Sequence, residues 1–273
     1  MKDRDCTQFL QWSLPQLRMR WQGFQKVRGQ VCKRIDRRLH ELGLAEISGY
    51  QSYLQEQADE WNVLDSLCRV TISRFYRDRE VFRFLEREVL VKLSSAAIAR
   101  GETELRCWSI GCASGEEPYT LAILWDRETG SQFKALNIKI LATDADPGMI
   151  GRAEEGCYSS NSLADLPAKW KADSFDRQGD ICCIKAEERD KVAFSLQDIR
   201  RDVPEGLFHL ILCRNLVFTY FDSSLQQEVL LRVKEKLMPG GALVIGVHES
   251  LPAGFGGLTV WMGSPGVYRD QTV

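Results

Sequence analysis

The sequence lacks the cysteine and histidine patterns that build metal sites. Its three histidines (His40, His209 and His248) do not stand at zinc spacing from a cysteine pair. The nine cysteines are odd in number and scattered, without a C-x-x-C motif, which argues against a metal site and against a disulfide framework. We therefore predict no metal and reduced thiols, as in a cytosolic protein.

Long apolar runs and an excess of positive charge are also missing. The longest apolar runs, such as Phe208–Cys213, have the length of a strand, which predicts no membrane insertion. The charged start MKDRDC has no apolar run behind it, so we expect no secretory signal and a cytoplasmic location. The net charge of −2 argues against a globally basic nucleic-acid binder. Apolar residues at 44% are enough for a globular protein with a real core.

The first part of the chain is helical by pattern. Apolar residues recur at every fourth position through Val27, Val31, Ile35 and Leu39. This is the apolar stripe of an amphipathic helix that ends near Gly43. Four basic residues lie off the stripe and are predicted to face outward: Lys33, Arg34, Arg37 and Arg38. With a second helix capped by Ser48, we expect an N-terminal helical domain over residues 1–65 that has a basic exposed face.

From about residue 105 short apolar runs alternate with helical stretches. The runs are LRCWSI, IKILAT, VAFSL, FHLILC and ALVIGV. This alternation predicts an α/β domain over residues 66–273, with a Rossmann-like, mostly parallel sheet and helices on both faces. Helices are expected at 115–128, 147–155 and 223–237, the last ended by Pro239-Gly240-Gly241, and LTVWM and GVYRD are expected to form a closing antiparallel hairpin. A small β-insert is predicted at about 165–191.

A run of small residues follows the first of these strands. Gly111 to Gly115 lead into a helix that begins at Glu116, and small residues there let a ligand approach the carboxyl edge of the sheet. The loop does not fit the G-x-G-x-x-G pattern that holds a pyrophosphate, and Glu116 and Glu117 would repel a phosphate. Carboxylates suit a ligand with an ammonium and a sulfonium instead. The alternative is that the glycines only turn the chain and the acids favour the helix N-terminus; the loop alone leaves the two interpretations even.

An acidic residue closes the second strand. Asp144 stands at the carboxyl end of IKILATD, where a carboxylate can accept hydrogen bonds from both hydroxyls of a ribose. The alternative is a helix cap, but Asp146 fits that role better because Pro147 follows it directly. This leaves Asp144 for the ribose.

Polar residues also follow the next two strands of the predicted sheet. Asp198 comes after VAFSL, where the amino group of an adenine would be recognised, and Arg214 and Asn215 follow the buried strand FHLILC. Polar side chains directly after a strand are placed for function, although Arg214 paired with a surface acid is the structural alternative.

Together these motifs resemble the CheR-type chemotaxis-receptor glutamate O-methyltransferases, from about residue 24 to residue 250. The segments that carry the resemblance are FQKVRGQVCKRIDRRLHELGLAEISGYQSYL, TISRFYRD, SIGCASGEEPYTLA, ATDAD, CRN…YFD and LMPGG. The resemblance implies an enzyme that uses S-adenosyl-L-methionine to form methyl esters on glutamate side chains of chemoreceptors, with S-adenosyl-L-homocysteine as product.

The resemblance also implies a set of site residues. Those that match the family's cofactor-binding positions are Thr71, Ser73, Arg77, Gly111, Glu116, Asp144, Asp198, Ile199, Arg214 and Asn215. Arg77 matches the functional arginine of the family and Tyr220 its active-site tyrosine, so these two are the catalytic candidates. At the position of Asp198 the family often has asparagine.

Two departures from the family concern Tyr220 and the β-insert. Four residues, Leu216 to Thr219, separate the Arg-Asn pair from Tyr-Phe, where the family usually has three, so the motif alone does not place Tyr220. The insert is short, which predicts that no receptor tether peptide is used.

The expected partner is the helical cytoplasmic region of a chemoreceptor, docked by Lys33, Arg34, Arg37 and Arg38 on a monomeric enzyme; the alternative is a solvated helix face. Another methyl acceptor, protein or small molecule, and a non-catalytic cofactor-binding regulator remain as alternatives. A nicotinamide dehydrogenase is disfavoured by the missing pyrophosphate loop.

Overall fold

The computed structural model describes residues 3–263 and 266–271, which form two compact units. The first unit runs to Thr71 and takes in Leu216–Gln226, and the second runs from Ile72 to Asn215 and again from Gln227 onward. The sequence suggested a simple division near residue 65. It did not indicate that the chain returns to the first unit for Leu216–Gln226, because that segment carries no change in composition.

The first unit is helical. Its helices are α1 (Asp3–Ser13), α2 (Trp21–Phe24), α3 (Arg28–Glu41), α4 (Ile47–Glu56) and α5 (Glu60–Cys68), with the later α12 (Val217–Tyr220) and the start of α13 (Ser223–Glu235). The helix α3 buries Val31, Ile35 and Leu39 against this unit's core, as the four-residue spacing predicts. The Ser48 cap was wrong: α4 already begins at Ile47, and Glu46 occupies the cap position.

The basic residues of α3 do not form one outward row. Arg34 donates from Nη1 to the backbone carbonyl oxygens of Leu67 and Arg69. The guanidinium of Arg38 binds both carboxylate oxygens of Glu60 at 2.9 and 2.8 Å. Lys33 and Arg37 are exposed. The prediction that all four face outward was therefore wrong for Arg34 and Arg38, because helix packing brings acceptors to them that lie far away in the sequence.

The second unit is built on a seven-stranded sheet with strand order β6-β2-β1-β7-β8-β10-β9. The strands in chain order are β1 (Glu104–Ile110), β2 (Asn137–Asp144), β3 (Cys157–Ser159), β4 (Phe175–Gln178), β5 (Ile181–Ile184), β6 (Val192–Leu196), β7 (Phe208–Cys213), β8 (Leu237–Ile245), β9 (Leu258–Val260) and β10 (Val267–Asp270). The five strands from β6 to β8 are parallel, and β10 runs antiparallel to both β8 and β9. The predicted Rossmann-like sheet and the closing hairpin are confirmed.

Helices of the second unit precede and connect these strands. They are α6 (Arg79–Phe84), α7 (Leu90–Ala99), α8 (Glu116–Leu124), α9 (Pro147–Glu155), α10 (Ala168–Ser174), α11 (Ala186–Arg189) and the remainder of α13. Asp146 caps α9 by accepting from the amides of Gly148 and Met149, as predicted. The expected end of α13 at residue 237 was wrong, since the helix stops at Glu235 and Leu237 pairs with Phe208 at the start of β8.

The β-insert is a separate three-stranded antiparallel sheet with strand order β3-β5-β4. It begins earlier than the predicted residue 165, because Cys157–Ser159 forms one of its edges. The short run CYS was not recognised as a strand from the sequence. Its pairing with β5 gives it that conformation.

Two disulfides correct the prediction of reduced thiols. Cys6 on α1 bonds to Cys32 on α3, and Cys157 on β3 bonds to Cys183, its cross-strand partner on β5. The remaining described cysteines form no disulfide and are buried: Cys68, Cys107, Cys112, Cys182 and Cys213. Spacing along the chain could not indicate these pairs, because helix packing and strand pairing bring the sulfur atoms together.

Candidate functional site

The candidate site lies at the carboxyl ends of the parallel strands. The chain passes from β1 to β2 and β6 on one side, and later forms β7 and β8 on the other, so the strand order reverses between β1 and β7. Open α/β sheets bind ligands just outside this reversal point. Four predicted cofactor residues stand at or directly after these strand ends: Gly111, Asp144, Asp198 and Arg214.

The loop after β1 closes against β2. The amides of Gly111 and Cys112 both donate to the carbonyl oxygen of Thr143, at 2.8 and 3.0 Å. Gly115, which precedes α8, has a φ of +91°, and a Cβ there would lie 3.0 Å from the hydroxyl of Tyr158. Both the conformation and the limited space therefore favour glycine at this position.

Glu116 presents a buried carboxylate at the start of α8. The residue is 4% exposed, and the hydroxyl of Ser114 lies 3.0 Å from each of its carboxylate oxygens. Among the described residues no cationic side chain forms an ion pair with it. A buried carboxylate is stabilised by a positive partner, and an ammonium-bearing ligand supplies one.

Glu117, the next residue, is engaged within the protein. Its carboxylate accepts from the hydroxyl of Ser109 at 2.8 Å and from Nη1 of Arg214 at 3.0 Å. The two neighbouring glutamates therefore have different partners: Glu117 is paired with an arginine, and Glu116 accepts from the hydroxyl of Ser114.

Asp144 ties the loops after β1 and β2 together. One carboxylate oxygen accepts from the amide of Ala113 and the other from the amide of Asp146, each at 2.9 Å. Ala113 itself has a φ of +48°. The carboxylate is therefore oriented by backbone donors at the edge where the ribose was predicted, and its role toward the ribose stays a prediction.

Asp198 and Ile199 follow β6. The carboxylate of Asp198 is gripped by Arg200, with Nε to Oδ1 at 3.0 Å and Nη2 to Oδ2 at 2.7 Å. Ile199 is buried at 5% exposure, and its carbonyl and that of Arg200 accept from Arg232 of α13. These contacts hold the loop rigidly beside the strand end. Recognition of an adenine there stays a prediction.

Arg214 is a buried cation that joins three segments. Its side chain is 2% exposed and binds Glu117 at 3.0 Å and Asp78 at 2.7 Å. Its Nη2 also donates to the carbonyl oxygen of Arg77, and the guanidinium lies over the ring of Phe82. The sequence did not indicate that Arg214 is buried and bonded to these groups. Its partners are 97 or more residues away along the chain.

The segment that contains Ser73 and Arg77 is held against these elements. Arg77 is half-buried and donates from Nη2 to the side-chain oxygen of Asn215 at 3.2 Å and from Nη1 to the carbonyl oxygen of Ile72. The Asn215 backbone has a φ of +57°, and its amide donates to Glu249. The structure thus brings Arg77, Arg214 and Asn215 together, with Ser73 half-buried in the same segment.

Thr71 and Tyr220 belong to the first unit. Thr71 is its last residue before the second unit begins. Tyr220 is half-buried at the end of α12, where its ring meets that of Phe24 edge-on at 5.1 Å.

Several functional neighbours were missed by reasoning from the sequence. They are Asp78, Ser114, Tyr158 and Glu249, together with Ser109 and Thr120, whose hydroxyls bond to Glu117 and to the backbone of Glu116. Asp78 offered a signal, since it stands next to Arg77 in TISRFYRD. Ser109, Ser114 and Thr120 stand in the motif SIGCASGEEPYTLA, whereas Tyr158 and Glu249 lie outside the motifs and are brought to the site by the fold.

The residues present suit S-adenosylmethionine. Its methionine end carries an ammonium and a carboxylate beside the sulfonium. Glu116 supplies a buried negative charge, and Nε of Arg214 is a buried donor without a partner among the described residues. Asp144 and Asp198 supply oriented carboxylates farther along the same edge. This donor set fits a cationic nucleoside and not a pyrophosphate.

Comparison with known proteins agrees with this chemistry. A family model described as "CheR methyltransferase, SAM binding domain" matches residues 71–260. A chemotaxis protein methyltransferase of Listeria innocua is 36% identical over 193 residues, which cover 70% of this chain and 70% of the relative. Another, from Borreliella burgdorferi, is 28% identical over 227 residues and covers 81% and 80%.

Among solved structures, the N-methyltransferase NodS of Bradyrhizobium japonicum bound to S-adenosylhomocysteine aligns with 62% of this chain and 63% of its own, at 18% identity and a TM-score of 0.34. That score is too low to support an argument. No helix in the described part of the chain has the length and apolar character to cross a membrane. The resemblance stated from the motifs is confirmed by the family match: this chain belongs to the CheR methyltransferase family and is a methyltransferase that uses S-adenosylmethionine.

Proposed function

We propose that this chain is a cytoplasmic protein-glutamate O-methyltransferase that methylates the helical cytoplasmic region of a chemoreceptor. The names of its relatives support a chemotaxis role. The observation that carries the proposal is the buried carboxylate of Glu116 beside the strand-order reversal, because it suits the methionine end of the methyl donor.

The proposed reaction needs little acid–base catalysis by the protein. Bound S-adenosylmethionine supplies an electrophilic methyl group. A glutamate acceptor has a pKa of about 4.3 and is already ionised at neutral pH, so no general base is required. The chain's residues then act by alignment and by excluding water, and orientation alone lowers a barrier by roughly 7–11 kcal/mol.

Arg77 is the proposed positioning cation of the reaction. Its guanidinium is held at both ends by the Ile72 carbonyl and the Asn215 side chain, so its charge has a defined place at the strand ends. We expect Arg77→Met to lower kcat/KM at least tenfold, on the order of one charged hydrogen bond. Arg74→Met is the matched control, because Arg74 is an exposed arginine of the same segment.

The assay uses radiolabelled cofactor and receptor cytoplasmic fragments. The wild type is expected to place the label in a base-labile methyl ester. Arg77→Met is expected to lose this labelling, and Arg74→Met is expected to keep it. Label that resists mild base, or transfer to a small molecule only, identifies another acceptor. Cofactor binding without any transfer identifies a regulator.

Tyr220 is proposed as the second catalytic residue, on the family resemblance. Tyr220→Phe keeps the ring that packs on Phe24 and removes only the hydroxyl. We expect lower turnover in a variant that still folds, which thermal unfolding checks. Turnover equal to that of the wild type removes the hydroxyl from the mechanism.

The basic face of α3 is proposed as the receptor-docking surface, now reduced to Lys33 and Arg37 as its exposed members. Charge reversal of both residues is expected to raise KM for the receptor fragment several-fold and to leave the Kd for S-adenosylhomocysteine unchanged, because surface charges steer association. Lys169→Glu, an exposed lysine of the second unit, is the control. An unchanged KM that is also insensitive to salt contradicts the docking role.

We further propose that the chain works as a monomer without a receptor tether peptide. The short strands of the insert, three or four residues each, support the absence of a tether. Sedimentation of the purified chain tests the first point, and equal activity on receptor fragments with and without their C-terminal tail tests the second.

A further inference from the structure

Tyr158, on strand β3 of the insert, contacts the loop after β1. The residue is 4% exposed, and its hydroxyl donates to the carbonyl oxygen of Ser114 at 2.7 Å. Burial raises the pKa of Tyr158 well above its usual value, so the hydroxyl keeps its proton and acts as a donor. The insert is thereby bonded to the loop that precedes the buried Glu116.

The ring of Tyr158 also contacts the segment that contains Arg77. It meets the ring of Phe75 edge-on at 4.8 Å, and Phe75 in turn meets Phe175 of β4 at 5.3 Å. The amide of Phe75 donates to the carbonyl oxygen of Ser162, which follows β3. One side chain of the insert therefore supports both the small-residue loop and the segment that leads to Arg77.

The loop lies close to Tyr158. A Cβ on Gly115 would lie 3.0 Å from the Tyr158 hydroxyl. On the other side of the loop, the Ser114 hydroxyl bonds to the Glu116 carboxylate. A shift of the Ser114 backbone would thus move the group that orients this carboxylate.

We propose that Tyr158 is a positioning residue for the methionine end of S-adenosylmethionine, acting through Ser114 on Glu116, and that the insert is therefore part of the methyl-donor site. The inference rests on the assignment of Glu116 to the methionine end. It is independent of which acceptor is methylated.

The test compares Tyr158→Phe with Tyr119→Phe. Tyr119 is also a buried tyrosine whose hydroxyl donates to a backbone carbonyl, that of Ala153 at 3.0 Å and not that of Ser114. Phenylalanine keeps its ring, which meets the ring of Tyr158 at 6.4 Å. Each variant loses one buried hydrogen bond. We expect calorimetry to show a Kd for S-adenosylhomocysteine about three- to tenfold higher in Tyr158→Phe and unchanged in Tyr119→Phe, with similar decreases in melting temperature.

Methylthioadenosine, which lacks the ammonium and the carboxylate, separates positioning from general loosening. Its Kd is expected to be the same in Tyr158→Phe and the wild type. Equal weakening of both ligands, or a Kd for S-adenosylhomocysteine within twofold of the wild type, overturns the proposal. Because the readout is cofactor affinity, failure to methylate a receptor fragment leaves this result intact and counts only against the proposed acceptor.

Ser114→Ala provides a second measurement that does not depend on the behaviour of Tyr158→Phe alone. It removes the hydroxyl that orients Glu116 and keeps the carbonyl that Tyr158 binds. If both act through the same carboxylate, the double variant loses little more affinity than the weaker-binding single variant, whereas independent roles make the losses multiply. Multiplying losses contradict the proposal.

Discussion

Adjacent residues with the same chemistry have different roles at the start of α8. The carboxylate of Glu116 accepts from the hydroxyl of Ser114, whereas that of Glu117 accepts from the buried Arg214 and the hydroxyl of Ser109. The difference arises from the helical turn, because consecutive residues of a helix point about 100° apart and meet different neighbours. We therefore predict that Glu116 serves ligand binding and that Glu117 serves stability.

Glu116→Gln is expected to weaken S-adenosylhomocysteine binding about 10- to 100-fold, the value of a hydrogen bond to a charged group. Its melting temperature should stay near that of the wild type, because no ion pair within the protein is lost. Calorimetric Kd values and thermal unfolding measure the two effects. Wild-type affinity in this variant would remove Glu116 from the cofactor site.

Glu117→Gln is the complementary change. It leaves the buried guanidinium of Arg214 with Asp78 as its remaining carboxylate, so we expect the free energy of unfolding to fall by about 1–3 kcal/mol. Denaturant unfolding measures this loss. An undiminished free energy of unfolding would show that Asp78 and the carbonyl of Arg77 suffice for Arg214.

At the scale of elements, the two ends of β7 serve different purposes. Its carboxyl end leads to Arg214, which gathers α8 and the Arg77 segment. Near its amino end His209 is 2% exposed; its Nδ1 accepts from the amide of Arg106 at 3.0 Å, and its Nε2 lies 2.5 Å from Glu102. Because Nδ1 is an acceptor, the ring is neutral and donates from Nε2.

This pairing predicts a pH dependence of stability. Burial lowers the pKa of His209 below its usual value, and this effect outweighs the hydrogen bond with Glu102, which raises it. The unfolded chain then binds the proton more readily, so the free energy of unfolding should fall as the pH decreases through about 6.5, the unfolded value.

Denaturant unfolding at about pH 7.5 and about pH 5.5 measures the effect. In His209→Asn the free energy of unfolding should depend less on pH. In His248→Asn, at an exposed histidine, it should depend on pH as in the wild type. An equal slope in His209→Asn and the wild type would assign the dependence to other groups.

At the scale of the whole molecule, each unit carries one disulfide that closes a stretch of 26 residues. By loop entropy a cross-link of this span stabilises a chain by about 3 kcal/mol. We expect peptide mapping without reductant to recover both pairs, and dithiothreitol to lower the melting temperature. Cys6→Ser and Cys157→Ser assign the loss to each unit. Thiol counts of nine in the native, oxidised protein would contradict both bonds.

Much of the fold was predictable because it depends on local periodicity. The run FHLILC predicted β7 with its bounds unchanged, and Asp146 before Pro147 predicted the cap of α9. The edge strand Cys157–Ser159 and the end of α13 were not predictable in this way. Their conformations follow from pairing with β5 and β7, which lie far away in the chain.

The amino-acid sequence was sufficient for the class of fold, for the five parallel strands in their chain order and, through the family motifs, for the cofactor. These follow from side-chain size, charge and spacing along a few neighbouring residues. Which acid faces a ligand, which arginines of α3 are exposed and which cysteines bond depended on tertiary packing. The reason is that each of these outcomes is set by a partner dozens of residues away, and distances of that kind are defined only when the chain has folded.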